Sequence, residues 1–276
     1  MRTNFYDLLA QRQFDASKEY NALWHLFCVE RSIFNGFSSR ALADIINDTY
    51  FRELPFRGSF VSLGDMMSAF GFQQHSAVNT DKLFTFCELL LAVLPQKHAH
   101  VYRDVPKQRQ TIIDNIEYIL ERTNHEIAQD PNANNIIVEK NKAATMAAQL
   151  VTDATVAFEL IEYNHFAIKG HLAEKKAILT SVAGYIEPIL NSKTLSSAGY
   201  KQLESDARFV FNNFHIRHNN KEGSKANDYI ATISNKELEE WYDKAYELAL
   251  SVIIINDYLS IGKDVADIKP KYTWRT

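Results

Sequence analysis

Glycine and proline are scarce in this chain of 276 residues, which contains nine glycines and six prolines. A fold rich in β-strands needs many turns, and these two residues make most turns, so the composition favours helices. Cysteine is rarer still: Cys28 and Cys87 each lie within an apolar helical pattern, ALWHLFCVE and LFTFCELLL. Their spacing matches no zinc motif, and we interpret them as buried thiols rather than as a disulfide.

The motifs of several common enzyme classes are also missing. There is no G-x-x-x-x-G-K-[ST] loop, no G-x-G-x-x-G turn, no H-E-x-x-H pair and no G-x-S-x-G elbow, which argues against nucleotide hydrolases, dinucleotide-binding folds, zinc proteases and serine hydrolases. His98 and His100, in QKHAH, have no third metal ligand nearby. The sequence therefore predicts neither a metal site nor a cofactor.

A strong charge of one sign is absent as well. The chain has 30 Lys and Arg against 34 Asp and Glu, a formal net charge of -4, which argues against tight binding of duplex DNA and leaves open a small basic cleft for RNA. The first residues, MRTNFYDLLAQRQF, lack the apolar core of a signal peptide, and no run of about 18 apolar residues occurs. We therefore expect a cytoplasmic protein without a membrane span.

The dominant pattern in the chain is helical periodicity. In the N-terminal part, helices are expected over four segments: 16–35, 39–50, 62–70 and 80–94. A polar hinge over residues 96–106 is the candidate boundary between an N-terminal helical domain, residues 1–105, and a second domain, residues 106–276.

The second domain is expected to start with a helix at Pro106 and to continue into a short β-hairpin over residues 125–141. Ile136–Val138 is a β-branched run, and Asp130-Pro131-Asn132 favours a turn. Four helices follow over residues 142–163, 171–191, 200–219 and 234–257, and their short links predict an up-and-down bundle. The tail from Ile261 is expected to be extended. The predicted fold is therefore mainly α.

The third helix of this bundle has a polar side suited to phosphate. Arg208, Asn212, His215 and Asn219 fall at i, i+4, i+7 and i+11, which stacks them along one ridge. An apolar stripe at helical spacing runs along the other side: Leu203, Ala207, Val210, Phe211 and Phe214.

With these residues, the bundle and the hairpin before it, the chain resembles the HEPN superfamily over residues 124–257, and more loosely the C-terminal region of abortive-infection phage-defence proteins. The HEPN signature is an arginine, usually followed by a polar residue, with four to six residues between the arginine and a histidine. Arg208 and His215 have six residues between them and fit this spacing, although Phe209 stands where a polar residue is usual. In an alternative register, Arg217 is the arginine and His218 the polar residue after it.

The resemblance implies a prokaryotic antiviral defence protein that cleaves RNA without a metal, at a site where two protomers of a homodimer meet. An arginine would hold the scissile phosphate, a histidine would take the proton of the ribose 2′-hydroxyl, and asparagines would position a phosphate oxygen. The catalytic candidates are Arg208, His215, Arg217 and His218, and the substrate-binding candidates are Asn212 and Asn219.

Two non-catalytic alternatives stay open. The polar ridge also fits a hydrated or partner-facing helix side, and the protein would then be a HEPN-like interaction or dimerisation module that docks a partner defence protein. Alternatively, the N-terminal domain is a sensor that recognises a phage protein and restrains the bundle. The connector phenylalanines Phe51, Phe56 and Phe60 motivate this second alternative.

Overall fold

A computed structural model of the chain describes residues 13–29, 31–33, 37–49, 51–94 and 105–272. These residues are mainly helical, as the composition predicts. Contacts divide the chain into two compact units, with residues 1–129 and 134–137 in unit 1, and residues 130–133 and 138–276 in unit 2. His98 and His100 lie outside the described residues.

Unit 1 contains five described helices and a small antiparallel hairpin. The helices are α1 (Ala16–Cys28), α2 (Leu42–Thr49), α3 (Leu63–Ala69), α4 (Thr80–Val93) and α5 (Val105–Thr123). Strands β1 (Arg31–Ile33) and β2 (Phe37–Ser39) pair antiparallel. Strand β3 (His125–Gln129) follows α5.

The helix predicted over residues 16–35 is therefore too long. It begins where the Asp15 side chain accepts a hydrogen bond from the backbone N–H of Lys18, and it ends at Cys28. Val29 already has extended backbone angles, φ −107° and ψ 132°, which suits a β-branched residue that leads into a strand.

The contacts also place the division between the units later than the predicted boundary at residues 105 and 106. Helix α5 packs against α1, so it belongs to unit 1 rather than to the second domain. The core of unit 1 is built from buried aromatic and aliphatic side chains: Tyr20, Leu23, Phe27, Phe72, Leu83 and Phe86. Of the connector phenylalanines, Phe51 is buried in the protein and Phe56 is exposed.

The predicted β-hairpin is present, with β3 paired to β4 (Asn135–Glu139) around a turn at residues 130–134. The turn forms as its composition predicts: Ala133 donates its N–H to the Asp130 carbonyl, and Asn132 donates its N–H to the Asp130 carboxylate. Val138 and His165 form an isolated bridge within unit 2.

Unit 2 contains seven described α-helices. They are α6 (Lys142–Leu150), α7 (Ala154–Glu162), α8 (Leu172–Asn191), the short α9 (Thr194–Ser197), α10 (Lys201–Asn213), the short α11 (Asp228–Thr232) and α12 (Asn235–Ile268). The single helix predicted over residues 142–163 is two helices, because the Asp153 carboxylate accepts hydrogen bonds from the N–H groups of Thr155 and Val156 and starts a new helix there.

Helix α12 has 34 residues and corrects the prediction of an extended tail. The Ser234 hydroxyl caps its first turn by accepting a hydrogen bond from Glu237 N–H at 3.1 Å. Its first half fills the core of unit 2 with Leu238, Tyr242, Ala245, Ala249 and Ile253. From Ser260 to Tyr272 every residue is exposed.

Candidate functional site

Helix α10 ends earlier than the sequence predicts, and this changes the candidate site. Asn213 is its last residue, and His215 has a left-handed backbone with φ 60°. The helix therefore breaks at His215, and the chain turns back across the bundle. Because of this turn, Arg217 and Arg208 line one small cavity, although a continuous helix would place them on opposite sides.

The Arg208 side chain makes three contacts with its own protein. Its Nη2 donates to the Leu190 carbonyl at 2.5 Å and its Nη1 donates to Asn191 Oδ1 at 3.0 Å, while its Nε lies 3.5 Å from Glu204 Oε1. Leu190 and Asn191 end α8, where backbone carbonyls have no partner within the helix. The guanidinium therefore closes the C-terminal end of α8 and holds α10 beside it.

Glu204 is the buried counter-ion of this arrangement. Its Oε2 accepts hydrogen bonds from the Ser196 hydroxyl and from the Ser196 backbone N–H. The Ser196 hydrogen bonds, and then the charge of Arg208, hold the pKa of the Glu204 carboxyl below its ordinary value. Ser196, Glu204 and Arg208 thus form one chain of contacts that joins α9, α10 and the end of α8.

Arg217 is paired too, and the cavity that it shares with Arg208 is small. Its Nη2 donates to Glu187 Oε2 on α8 at 2.8 Å. The half-buried Asn212 also lines the cavity, which has a volume of about 20 Å³. That volume has room for one water molecule. As built, the cavity is too small for a phosphodiester.

His215 faces a different part of α8. Its ring Nδ1 accepts a hydrogen bond from the backbone N–H of Asn220 at 3.2 Å, and the backbone N–H of His215 donates to Asn220 Oδ1 at 3.1 Å. Its Nε2 lies 3.3 Å from Lys176 Nζ. Burial of the ring and the charge of Lys176 lower the pKa of His215 from its ordinary value, which favours the neutral imidazole that accepts the Asn220 N–H.

The imidazole and the Arg208 guanidinium are therefore far apart within one chain. Lys176 and Leu190, their respective contacts, are 14 residues apart on α8, which corresponds to about 21 Å along the axis. Side chains on a helix lean toward its N-terminus, so the Lys176 ammonium points away from Leu190. A single phosphodiester cannot reach from one group to the other.

The other two candidates have different surroundings. Asn219 Oδ1 accepts hydrogen bonds from the N–H groups of Lys221 and Glu222, at 3.3 and 3.2 Å, and thereby closes a turn after α10. The His218 side chain is exposed. The structure thus brings Arg208, Arg217 and Asn212 together and leaves His215, His218 and Asn219 out of their cavity.

The sequence analysis missed a larger feature on the outer side of the same helices. A groove of about 790 Å³ runs between α10 and α12, and we call it the α10/α12 groove. Its lining residues are Asp206, Phe209, Val210, Glu240, Trp241, Asp243, Lys244, Glu247, Leu248 and Ser251. The available signal was Phe209, an aromatic residue at a position where the HEPN signature has a polar one, and it is 58% exposed.

An ion-pair network around the buried Lys175 supports α12 beside this groove. Lys175 on α8 has a side chain that is only 7% exposed, and its Nζ lies 2.9 Å from Glu239 Oε1 and 2.6 Å from Asp243 Oδ1. The Tyr163 hydroxyl donates to the same Asp243 oxygen at 2.9 Å. Burial, and then the charge of Asp243, raise the pKa of Tyr163. The network ties α7, α8 and α12 together.

No family model, no curated protein and no solved structure matches this chain. The HEPN resemblance stays a prediction from the sequence. Within the part of the chain that the structure describes, no group of three or more His, Cys, Asp or Glu residues is placed to hold a metal ion.

One helical segment, Asn235–Lys271, is long and apolar enough to cross a membrane by length and composition alone. No such segment was expected from the sequence. Its most apolar window is 33% buried within the protein, and its first half belongs to the core of unit 2.

Proposed function

We propose that unit 2 is a non-catalytic interaction module, and that the α10/α12 groove is its binding surface. The observation that carries this proposal is an open apolar groove with an acidic rim on a bundle whose candidate catalytic arginines are engaged in structural contacts. Of the functions that the sequence left open, we therefore favour the interaction module over the ribonuclease.

The floor of the groove is apolar and aromatic. This floor is formed by the exposed Phe209 ring and by the half-buried Trp241 and Leu248. Trp241 is held in place from below, because its ring stacks on the buried Phe214 with centroids 4.0 Å apart. A fixed aromatic surface of this kind loses little side-chain entropy when a partner covers it.

The rim of the groove is acidic. Asp206, Glu240, Asp243 and Glu247 carry carboxylates and Lys244 carries one positive charge, so four negative charges minus one leave a formal charge of -3. Lys175 compensates Asp243, whereas Glu240 and Glu247 form no ion pair with a described residue. Lys244 itself lies over the Trp241 ring, 4.2 Å from its centroid.

These features select an amphipathic helix with basic residues as the partner. A groove between two helices accepts the apolar face of a third helix, whose anchors recur at i, i+3, i+4 and i+7. The acidic rim then favours lysine or arginine beside those anchors and opposes acidic residues. In a defence protein of the kind that the sequence resembles, such a helix would belong to a partner subunit.

The test uses two designed peptide helices as probes, one of Leu and Lys and one of Leu and Glu in the same pattern. We expect the full chain to bind the fluorescently labelled Leu/Lys peptide and to bind the Leu/Glu peptide at least about tenfold more weakly, because the rim repels it. Fluorescence anisotropy measures both affinities, and added salt should reduce the difference between them.

Matched variants locate the binding. Phe209→Ser and Glu240→Gln/Glu247→Gln should each weaken binding of the Leu/Lys peptide, whereas Phe70→Ser, at a phenylalanine of unit 1 that is 57% exposed, should not. Equal affinity of the wild-type and Phe209→Ser proteins for this peptide would overturn the proposal.

The metal-independent ribonuclease is the second candidate function. The observation in its favour is that the turn at His215 makes Arg208, Arg217 and Asn212 line one cavity. Within one chain the imidazole of His215 is out of reach of that cavity, so this candidate needs a second protomer to supply the proton acceptor. Its substrate would be single-stranded RNA.

A further inference from the structure

The exposed end of α12 carries a regular apolar stripe, which we call the C-terminal stripe. Its members are Tyr258, Ile261, Val265, Ile268 and Tyr272, and each is at least 44% exposed. The first four lie on α12 with spacings of 3, 4 and 3 residues, those of the a and d positions of a heptad, which face a partner helix. Tyr272 follows the end of the helix and has extended backbone angles. In the described residues, nothing covers this stripe.

The C-terminal stripe lies on the same side of α12 as the α10/α12 groove. Glu240 and Tyr258 are 18 residues apart, as are Glu247 and Val265, and 18 residues make about five complete turns. One helix therefore carries, along one side, first an apolar groove with an acidic rim and then an apolar stripe.

The charges of the two parts are complementary. Lys269 and Lys271 follow the last turn of α12, and Lys269 lines a concavity with Val265, Ile268 and Tyr272. The groove presents Glu240 and Glu247 without partners among the described residues. Residues 258–272 contain three lysines and two aspartates, so their formal charge is +1, opposite in sign to that of the groove. The stripe thus combines an apolar helix face with a small excess of positive charge.

We propose that the C-terminal stripe of one copy of this protein occupies the α10/α12 groove of a second copy, and that the second copy returns the same contact. This inference rests on the proposed function and names its partner. The two α12 helices run antiparallel, with a two-fold axis close to Ile255, midway between groove and stripe. The interface is isologous, so the same groove and the same stripe are used twice.

Reciprocity is the reason to assign the groove to a second copy. A stable interface buries at least about 1,000 Å² in total, and one stripe in one groove uses a single short helix. A two-fold pair doubles the contact, covers both exposed stripes and places lysines beside both acidic rims. A groove and a stripe on one side of one rigid helix are already in register for such a pair.

The experiment measures the dimer dissociation constant of the full chain by sedimentation equilibrium. We expect a dimer for the wild type, and a dissociation constant raised at least about tenfold in two charge-reversal variants, because each places like charges opposite each other. One variant, Glu240→Lys/Glu247→Lys, changes the groove, and the other, Lys269→Glu/Lys271→Glu, changes the stripe.

Mixing the two variants provides the sharpest result. In the mixed pair, each groove meets a stripe of opposite charge, so two variants that are monomeric alone should form a heterodimer with near wild-type affinity. All four substitutions are at exposed positions, and circular dichroism should show unchanged helicity. Val265→Ser/Ile268→Ser removes the apolar part of the stripe and should also give a monomer.

Two outcomes separate this inference from the proposed function. A wild-type monomer that binds the Leu/Lys peptide through Phe209 overturns the second copy as partner and leaves the interaction module intact. A dimer that survives both charge reversals and Val265→Ser/Ile268→Ser overturns the inference as well. Failure of the Leu/Lys peptide to bind a monomeric variant with an intact groove, such as Lys269→Glu/Lys271→Glu, would overturn the proposed function itself.

Discussion

His215 has a defined structural role that its sequence position does not reveal. Its backbone adopts the left-handed conformation that ends α10, and its ring accepts the Asn220 N–H. A protonated Nδ1 would turn this hydrogen bond into a contact between two donors. The imidazole therefore serves as a neutral acceptor that holds the turn, and its protonation opposes folding.

The stability of the protein should accordingly fall as pH decreases below about 6.5, the ordinary pKa of histidine. The folded state lowers the pKa of His215, so between this lowered value and 6.5 the unfolded chain binds a proton that the folded chain does not. The contribution of the neutral His215 ring to stability is fully present above this window, and it declines as the pH falls through it. Urea midpoints at pH 7.5 and 5.0 measure the change.

The variant His215→Asn should reduce this pH dependence. Asparagine tolerates a left-handed backbone and its amide oxygen can accept the Asn220 N–H, but it does not titrate. Lys176→Gln should reduce the dependence in part, because it removes a positive charge next to the ring. If the urea midpoint of His215→Asn shifts with pH as much as that of the wild type, the assignment of this role is wrong.

At the level of the helices, Arg208 of α10, which was predicted to be catalytic, has a structural function at the end of α8. The Leu190 carbonyl at the end of α8 accepts a hydrogen bond from Arg208 of α10, and Glu204 compensates the charge of the guanidinium. The same contacts set the spacing between α8 and α10. A guanidinium suits this task because its donors form a rigid planar fork, which a lysine lacks.

Arg208→Ala should therefore lower the free energy of unfolding by about 1–3 kcal/mol, since it removes a charged donor from the Leu190 carbonyl and the positive charge beside the buried Glu204. The free energy of unfolding of Arg208→Lys should lie between those of this variant and the wild type. Arg217→Ala, which removes one partly exposed ion pair with Glu187, should lower it by less than about 1 kcal/mol. Urea denaturation of the three variants checks the order.

If Arg217→Ala lowers the free energy of unfolding more than Arg208→Ala does, the structural role assigned to Arg208 is wrong. An unchanged stability of Arg208→Ala together with a loss of RNA cleavage would support the catalytic hypothesis instead.

For the protein as a whole, the interaction module and the ribonuclease predict opposite results with RNA. As an interaction module, the purified full chain should not cleave single-stranded RNA in EDTA above the level of buffer. The Arg208→Ala/His215→Ala variant should give the same result. Gel electrophoresis with detection of 2′,3′-cyclic phosphate ends measures the cleavage.

Cleavage by the wild type that is lost in the variant would contradict the interaction module. Because Arg208→Ala is itself expected to destabilise the bundle, Arg217→Ala/His218→Ala serves as a second variant at exposed positions.

The mainly α fold was predictable because its signals are local. The hairpin followed from Asp130 and the β-branched run after it, and the Ser234 cap with Glu237 marked the start of α12. The buried stripe of α10 followed from periodicity, since Ala207, Val210, Phe211 and Phe214 are all in the core.

The end of α10, the extent of α12 and the candidate site were not predictable in the same way. Periodicity continues through His215, and the turn there depends on contacts with Lys176, Thr180 and Asn220, which come from the packed bundle. The tail from Ile261 was predicted to be extended, whereas α12 continues to Ile268. Arg208 matched a motif by spacing, but its partners on α8 depend on tertiary structure.

Trp241 lies at the base of the α10/α12 groove, between the Phe214 ring and the Lys244 ammonium. An indole in such a position changes its emission when water leaves its exposed edge or when the nearby cation moves. The other two tryptophans, Trp24 in unit 1 and Trp274 outside the described residues, can be replaced by phenylalanine. The protein then carries an intrinsic optical reporter of groove occupancy and needs no attached dye.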